Sequence, residues 1–444
     1  MSADAAPPGA DPPRMAPDAA ASADASGPDP RAVARITTGL FLAHAFGSAA
    51  AIATGTVSAI VGAELAGRAA LAGAPAAAFQ FGGAGTAILV GWMLGRLGRR
   101  RGMTVAALLG TAGMAGAALA VAGGAFAWLL PALVLAGTGN AAVRLARFTA
   151  AEIVPHARRG RAVAIVVTGG TVGSVVGPAI VAPSGAWSAA LGWGTLTGPF
   201  VAATVFLILA AASFHLLLRP EPSRLAVRRE APHPAGDDAS TSEGAEPLPA
   251  RPLGTLLRDP GVATAIATLV LAQGVMVMLM AITSLHMDRH DHALSLISLV
   301  ISGHTLGMFA FSIVSGIFVD RFGRLPVLVA GGAVLLLSTV LAPLSPGFVP
   351  IFVALFLLGY GWNLAYVAGS ALLADHLSAR EATSTQGLND FAMGTVSATA
   401  SLLGGVVFAA YGFGVMSAAG AVGSVLLLAV AGAYAARRRT IPTP

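Results

Sequence analysis

Two stretches decide how the rest of the chain is read: Gly316-Ile317-Phe318-Val319-Asp320-Arg321-Phe322-Gly323-Arg324, and Gly91-Trp92-Met93-Leu94-Gly95-Arg96-Leu97-Gly98-Arg99-Arg100. Each leaves one apolar run, ends in Gly-Arg, and is followed closely by another apolar run. The arginines of both stretches favour the aqueous side of a membrane. Each copy also stands at nearly the same distance from the start of a long apolar run in its half of the chain. Recurrence at one offset is the signature of a parallel internal repeat.

Composition agrees with a membrane setting. The 444 residues are 56% hydrophobic and 10% charged, with a mean hydropathy of +0.78, whereas a soluble chain carries about 25% charged residues. Cysteine is absent, which excludes disulfides, thiol nucleophiles and Cys-ligated metal. All 26 basic residues are arginine, so Schiff-base chemistry and a P-loop lysine are excluded too. No nucleotide loop, HExxH or Ser/His/Asp arrangement is present, so the chain reads as a non-enzyme without a cofactor.

A span needs about 20 mostly apolar residues. Twelve runs qualify: 36–60, 70–95, 103–122, 126–148, 161–182, 195–218, 261–285, 294–319, 326–343, 348–371, 386–409 and 413–435. With the gaps assigned alternately to the two sides, 24 of the 26 arginines fall on one side, and only Arg68 and Arg289 on the other. The positive-inside rule makes the rich side cytoplasmic, with both termini there. The pI near 10.8 therefore reflects topology rather than nucleic-acid binding. The expected fold is an all-α membrane protein of twelve transmembrane helices in two pseudo-symmetric six-helix bundles. Residues 1–30 read as a disordered cytoplasmic tail, 31–218 as the first bundle and 219–259 as a cytoplasmic linker. Residues 260–436 form the second bundle and 437–444 a final tail. The cell membrane is the expected location, and a monomer the expected state.

With this layout, Gly316 to Arg324 resembles the signature loop of the major facilitator superfamily, and the resemblance extends over residues 31 to 439. It implies secondary transport of a small molecule by alternating access. It also implies a cytoplasmic latch made of Gly91, Arg96, Gly98 and Arg99 in one half and Gly316, Asp320, Arg321, Gly323 and Arg324 in the other. Asp320 is expected to meet the start of span 5 near Ala162, favoured by the positive end of that helix. Gly95 stands where the family has its first-half acid. Gly173-Ser-Val-Val-Gly177-Pro178 on span 5 resembles a motif of exporters in the family, and reads otherwise as a plain packing stripe. On span 4, Leu133 occupies the position of the family's membrane arginine, while Arg144 and Arg147 are expected to snorkel to the interface, with a substrate role for Arg144 as the alternative.

Polar groups at membrane depth are functional candidates by default. His44, Asn140, Gln273 and Asn363 lie on spans 1, 4, 7 and 10, which the resemblance makes cavity-lining, with Tyr360, Trp362 and Tyr366 around Asn363. Gln80 lies on span 2. The expected cavity is mainly apolar with a few amide and aromatic handles, although each group alone also serves as an interhelical hydrogen bond. No carboxylate is expected at mid-depth. Proton coupling then falls to His304 or His44, whose type titrates near neutral pH, or to Asp390 at the start of span 11. His304 reads alternatively as a neutral packing group. His286, His290 and His292 with Asp288 and Asp291 form a polar loop, and no metal site is expected there. The favoured function is proton-coupled efflux of an amphipathic compound. Its alternatives are uptake of a metabolite or vitamin, by symport or facilitated diffusion, and a non-transporting sensor or scaffold.

Overall fold

The computed structural model describes residues 29–155, 158–223, 225 and 251–440. Most of the expected N-terminal tail, residues 226–250 of the expected linker and residues 441–444 lie outside them. The described residues form helices and no strand, since a helix satisfies all but its terminal backbone groups within one segment and needs no water to do so. The helices are α1 (Pro30–Ala66), α2 (Ala74–Gly85), α3 (Ala87–Ala122), α4 (Phe126–Glu152), α5 (Arg159–Ala190) and α6 (Thr197–Leu217). The second series is α7 (Pro260–Asp288), α8 (Leu294–Phe309), α9 (Ser312–Phe322), α10 (Arg324–Leu341), α11 (Phe348–Asp375) and α12 (Ala379–Thr440).

Among the described residues, ten helices are long and apolar enough to cross a membrane, and two of these, Ala69–Ala122 and Thr385–Arg438, are 54 residues long. At 1.5 Å per residue each would extend about 80 Å, against a hydrocarbon core of about 30 Å. Both are broken by a glycine outside helical geometry, Gly98 (φ 80, ψ 167) and Gly412 (φ 80, ψ 178). The twelve runs of the sequence map onto these ten helices when each broken stretch counts as two. Gly323, the counterpart of Gly98 in the repeated motif, has φ 88 and ψ 164. A side chain at such angles is strained, so the repeat is a repeat of backbone conformation.

Other features recur in step. Asp29 and Asp259 each precede a proline at a helix start and accept backbone N–H groups, Asp29 from Arg31 at 2.9 Å and Asp259 from Gly261 at 2.8 Å, a sound N-cap geometry. The motif arginines pair with a carboxylate at the end of a later helix. Arg99 grips Glu152 through Nε and Nη2 (2.9 and 2.6 Å), and Arg324 grips Asp375 likewise (2.9 and 3.3 Å).

Large apolar side chains such as Ile88 (84% exposed), Ile313 (80%) and Trp128 (74%) cover the outer surface, as lipid contact requires and water would not tolerate over such an area. Inside, small residues let helices touch. An added Cβ at Gly169, Gly173 or Gly177 of α5 would lie 2.3, 2.0 or 2.8 Å from the carbonyl oxygen of Phe41, Ala45 or Ala49 of α1. This four-residue spacing on both partners lays α5 along α1.

The first and second series of helices touch at mid-depth and toward the arginine-poor end. Thr305 Oγ1 donates to the Ser174 carbonyl (3.1 Å), and Ser401 Oγ donates to the Gly73 carbonyl (3.1 Å). A Cβ at Gly73 would fall 1.7 Å from the Ser401 carbonyl oxygen, so backbone meets backbone there. At the arginine-rich end the expected latch is not closed. Asp320 is exposed and has no hydrogen bond or ion pair among the described residues, while Ala162 is buried in a core shared with α1 and α4. Because α5 meets the second series through α8, the loop after α9 stays apart from the start of α5.

Candidate substrate site

Membrane depth in the middle of the molecule contains a cavity of about 210 Å³ to which α2, α4, α7, α11 and α12 all contribute side chains. From α11 come Trp362 and Tyr366, stacked with ring centroids 4.7 Å apart at 16°. From α7 comes Gln273, whose Oε1 accepts from Trp362 Nε1 (2.9 Å) and whose Nε2 donates to Ser397 Oγ on α12 (2.9 Å). That amide ties three helices together. Gln80 enters from α2, and Met393 and Gly394 from α12.

The charged groups correct the expected picture. Arg144 and Arg147 line this cavity rather than snorkelling, because α4 continues to Glu152 and keeps both arginines on the inner face. Arg147 forms an ion pair with Asp390 of α12, which joins the first series of helices to the second. Asp390 lies eleven residues beyond the first residue of α12, so it is a cavity carboxylate and not a helix-capping group. The cavity is therefore polar and charged, not mainly apolar, and it does hold an acid. Arg147 Nε is buried without a hydrogen-bond partner, and Phe148 packs 4.9 Å from its guanidinium.

Of the other expected cavity residues, none lines this space. Asn363 is 1% exposed. Its Nδ2 donates to the Met308 carbonyl (2.6 Å) and Ser312 Oγ (2.8 Å), and its Oδ1 accepts from Ser315 Oγ (2.5 Å). It thereby bridges the gap between α8 and α9, where the helix is interrupted and its carbonyls need donors. Asn140 sits beside Gly83, where an added Cβ would be 3.5 Å from its Nδ2, close to the matching interruption between α2 and α3. Tyr360 packs edge-on to Phe311 (5.5 Å). His44 Nδ1 donates to the Val143 carbonyl (3.1 Å), and its ring also abuts Gly170 of α5.

His304 is fully buried, with Nδ1 donating to the Leu355 carbonyl (2.9 Å) and Nε2 unpartnered. Its position between α8 and α11 is that of a packing group away from the cavity. Near the arginine-poor end, His286 stacks on Phe413 (4.0 Å) and His292 Nε2 donates to the Pro346 carbonyl (2.8 Å). No group able to hold a metal ion occurs among the described residues. Gly91 and Gly316 face open space, so no close approach requires them in this conformation. Arg96 lies over Trp92 (4.9 Å) and Arg321 over Phe322 (5.7 Å).

Comparison with known proteins gives this geometry a context. The profile of the Major Facilitator Superfamily matches residues 39–296 and 268–444. The MFS-type transporter YdeG of Bacillus subtilis is 32% identical over 391 residues, covering 88% of this chain and 89% of that protein. The riboflavin transporter RfnT of Brucella anthropi is 27% identical over 367 residues, covering 82% and 87%. Among solved structures, a D-xylose–proton symporter superposes with a TM-score of 0.68 at 16% identity, covering 89% of this chain and 97% of the other.

Proposed function

The chain belongs to the Major Facilitator Superfamily, and on that premise we propose that it carries a small polar solute by alternating access, coupled to protons through Asp390. The observation that carries this reading is the Arg147–Asp390 ion pair, which joins the two series of helices inside a cavity at membrane depth. Protonating Asp390 removes one partner of a half-buried pair and frees Arg147, so the link between the halves weakens. A deprotonated Asp390 favours the joined arrangement. Proton binding thus biases one conformation over the other, which is what coupling requires.

In this reading residues 31–218 and 260–436 are the two moving bundles, and the arginine-rich end faces the cytoplasm of a cell-membrane monomer. The direction we favour is export against inward proton flow, supported by the Gly173–Pro178 resemblance to exporters. Uptake of a planar metabolite is the second reading. The flat Trp362–Tyr366 wall favours it, as does the likeness to a riboflavin transporter.

The test uses proteoliposomes with an imposed pH gradient and a solute identified by thermal-shift screening. Asp390→Asn should abolish gradient-driven accumulation while retaining solute exchange without a gradient. Wild-type accumulation by Asp390→Asn at an unchanged proton stoichiometry would move coupling to another group, with His44 and His304 next in line.

A further inference from the structure

We infer that the solute is an organic carboxylate, and that Arg144 holds its anionic group. This rests on the transport reading above and names the substrate class of the same cavity. α4 carries Asn140, Arg144 and Arg147 at helical spacing, so the three share one broad face. Both arginines line the cavity, yet their situations differ. Arg147 is neutralised by Asp390. Arg144 is partly buried and has no hydrogen bond or ion pair among the described residues.

Two guanidinium groups beside one carboxylate leave the cavity wall with an excess positive charge. No other acidic or histidine side chain lines the space; His44 faces Val143 and Gly170 instead. A cation held in a low-dielectric wall without a counter-ion is costly, and an anionic solute would offset that cost directly. Planar carboxylate recognition is also what the guanidinium fork does well.

The remaining wall completes the picture by what is left unused. Gln273, Ser397 and the Trp362 indole N–H are engaged with one another. Gln80 has no hydrogen bond among the described residues and borders the cavity. The polar groups open to a solute include Arg144 and Gln80 of the first bundle, while the second bundle offers the Trp362–Tyr366 ring wall with the Tyr366 hydroxyl. The space of about 210 Å³ corresponds to roughly seven waters at about 30 Å³ each, enough for one ring bearing a carboxylate. Such a solute would touch both bundles at once, as a carried molecule must.

The experiment measures equilibrium binding of radiolabelled benzoate and nicotinate, of the neutral amides benzamide and nicotinamide, and of inorganic phosphate, to the full chain in nanodiscs. At least one carboxylate should bind about tenfold or more tightly than its amide. Arg144→Gln should remove that preference, and Arg144→Lys should restore part of it. Melting temperatures of both variants near wild type will show that they are folded. Equal binding of acid and amide, unchanged carboxylate affinity in Arg144→Gln, preference for inorganic phosphate, or no binding of either carboxylate would each overturn the inference. Binding needs no pH gradient. Intact carboxylate preference without proton-driven flux therefore refutes the coupling reading alone, and the reverse result refutes this one alone.

Discussion

Replacing Asn363 by leucine tests whether membrane-depth amides in this chain serve the cavity or the helices. The side chain is 1% exposed and makes three hydrogen bonds, to Met308, Ser312 and Ser315. Interhelical hydrogen bonds in membranes average about 0.6 kcal/mol each, which gives about 2 kcal/mol for the three. The Met308 carbonyl lies at the break between α8 and α9, and leaving it and two hydroxyls without their partner adds a desolvation cost of about 1–3 kcal/mol. Ser312 Oγ already donates to the Phe309 carbonyl (3.0 Å) and Ser315 can turn to a carbonyl of its own helix, which lowers the total. The expected destabilisation is therefore about 2–4 kcal/mol, with leucine preserving most of the volume. Reversible unfolding in mixed micelles by increasing denaturing detergent reads this directly. Solute affinity of the surviving folded fraction should remain within about twofold of wild type. Unaltered stability with a severalfold weaker affinity would refute the reasoning and return Asn363 to the cavity.

Two further outcomes follow from packing and charge. Gly173→Leu should prevent α5 from lying on α1, since even a Cβ would come within 2.0 Å of the Ala45 carbonyl, and should cost about 3 kcal/mol or more; Gly91→Ala, which faces open space, should leave the unfolding midpoint unchanged. The Arg251 guanidinium (2.8 Å) and the Ser378 N–H (2.9 Å) hold the Glu381 carboxyl well below the usual carboxylate range. A depressed folded-state value stabilises above the unfolded value of about 4.3 and is lost as the pH falls below it. Melting curves from pH 7 to pH 3 should therefore show an acid-side loss that is smaller in Glu381→Gln, and equal losses in the two proteins would remove Glu381 from the account.

The architecture was legible because lipid imposes few patterns. Arginine alternation and long apolar runs are consequences of a bilayer, the motif repeated in both halves reflects an internal repeat, and the fold follows them. The site was less legible, for identifiable reasons. Hydropathy begins span 11 at residue 386, but α12 begins at Ala379, because Ser378 and Glu381 form a capping box in which Glu381 accepts the Ser378 N–H. That S-x-x-E signal was available in the sequence and puts Asp390 well inside a helix. Arg147 was misjudged by its closeness to the end of an apolar run, although α4 extends past it to Glu152. Asn363 was misjudged because the break it bridges, at Ala310 and Phe311, has neither glycine nor proline to mark it. In contrast, Gln273, Trp362 and Tyr366, expected from residue type and span alone, do line the cavity.

Under the proposed alternating access, the contact of Gly73 with Ser401 would serve as the fulcrum of a lever. With no Cβ at Gly73 to hold the two backbones apart, this point is the closest approach about which the bundles could tilt, with the Ser401 hydroxyl bond to the Gly73 carbonyl as a short tether. From Gly73 to Gly98 at the arginine-rich end is about 25 residues, an arm of roughly 37 Å at 1.5 Å per residue. Each degree of tilt then moves the far end by about 0.6 Å, so a gap of 10 Å needs only about 15°. Over a radius of about 5 Å from the fulcrum the same rotation displaces atoms by little more than 1 Å. A wide mouth and a nearly stationary knuckle are thus one motion seen at two radii. A bulky residue at Gly73 would act as a wedge, moving the pivot outward and shortening the arm.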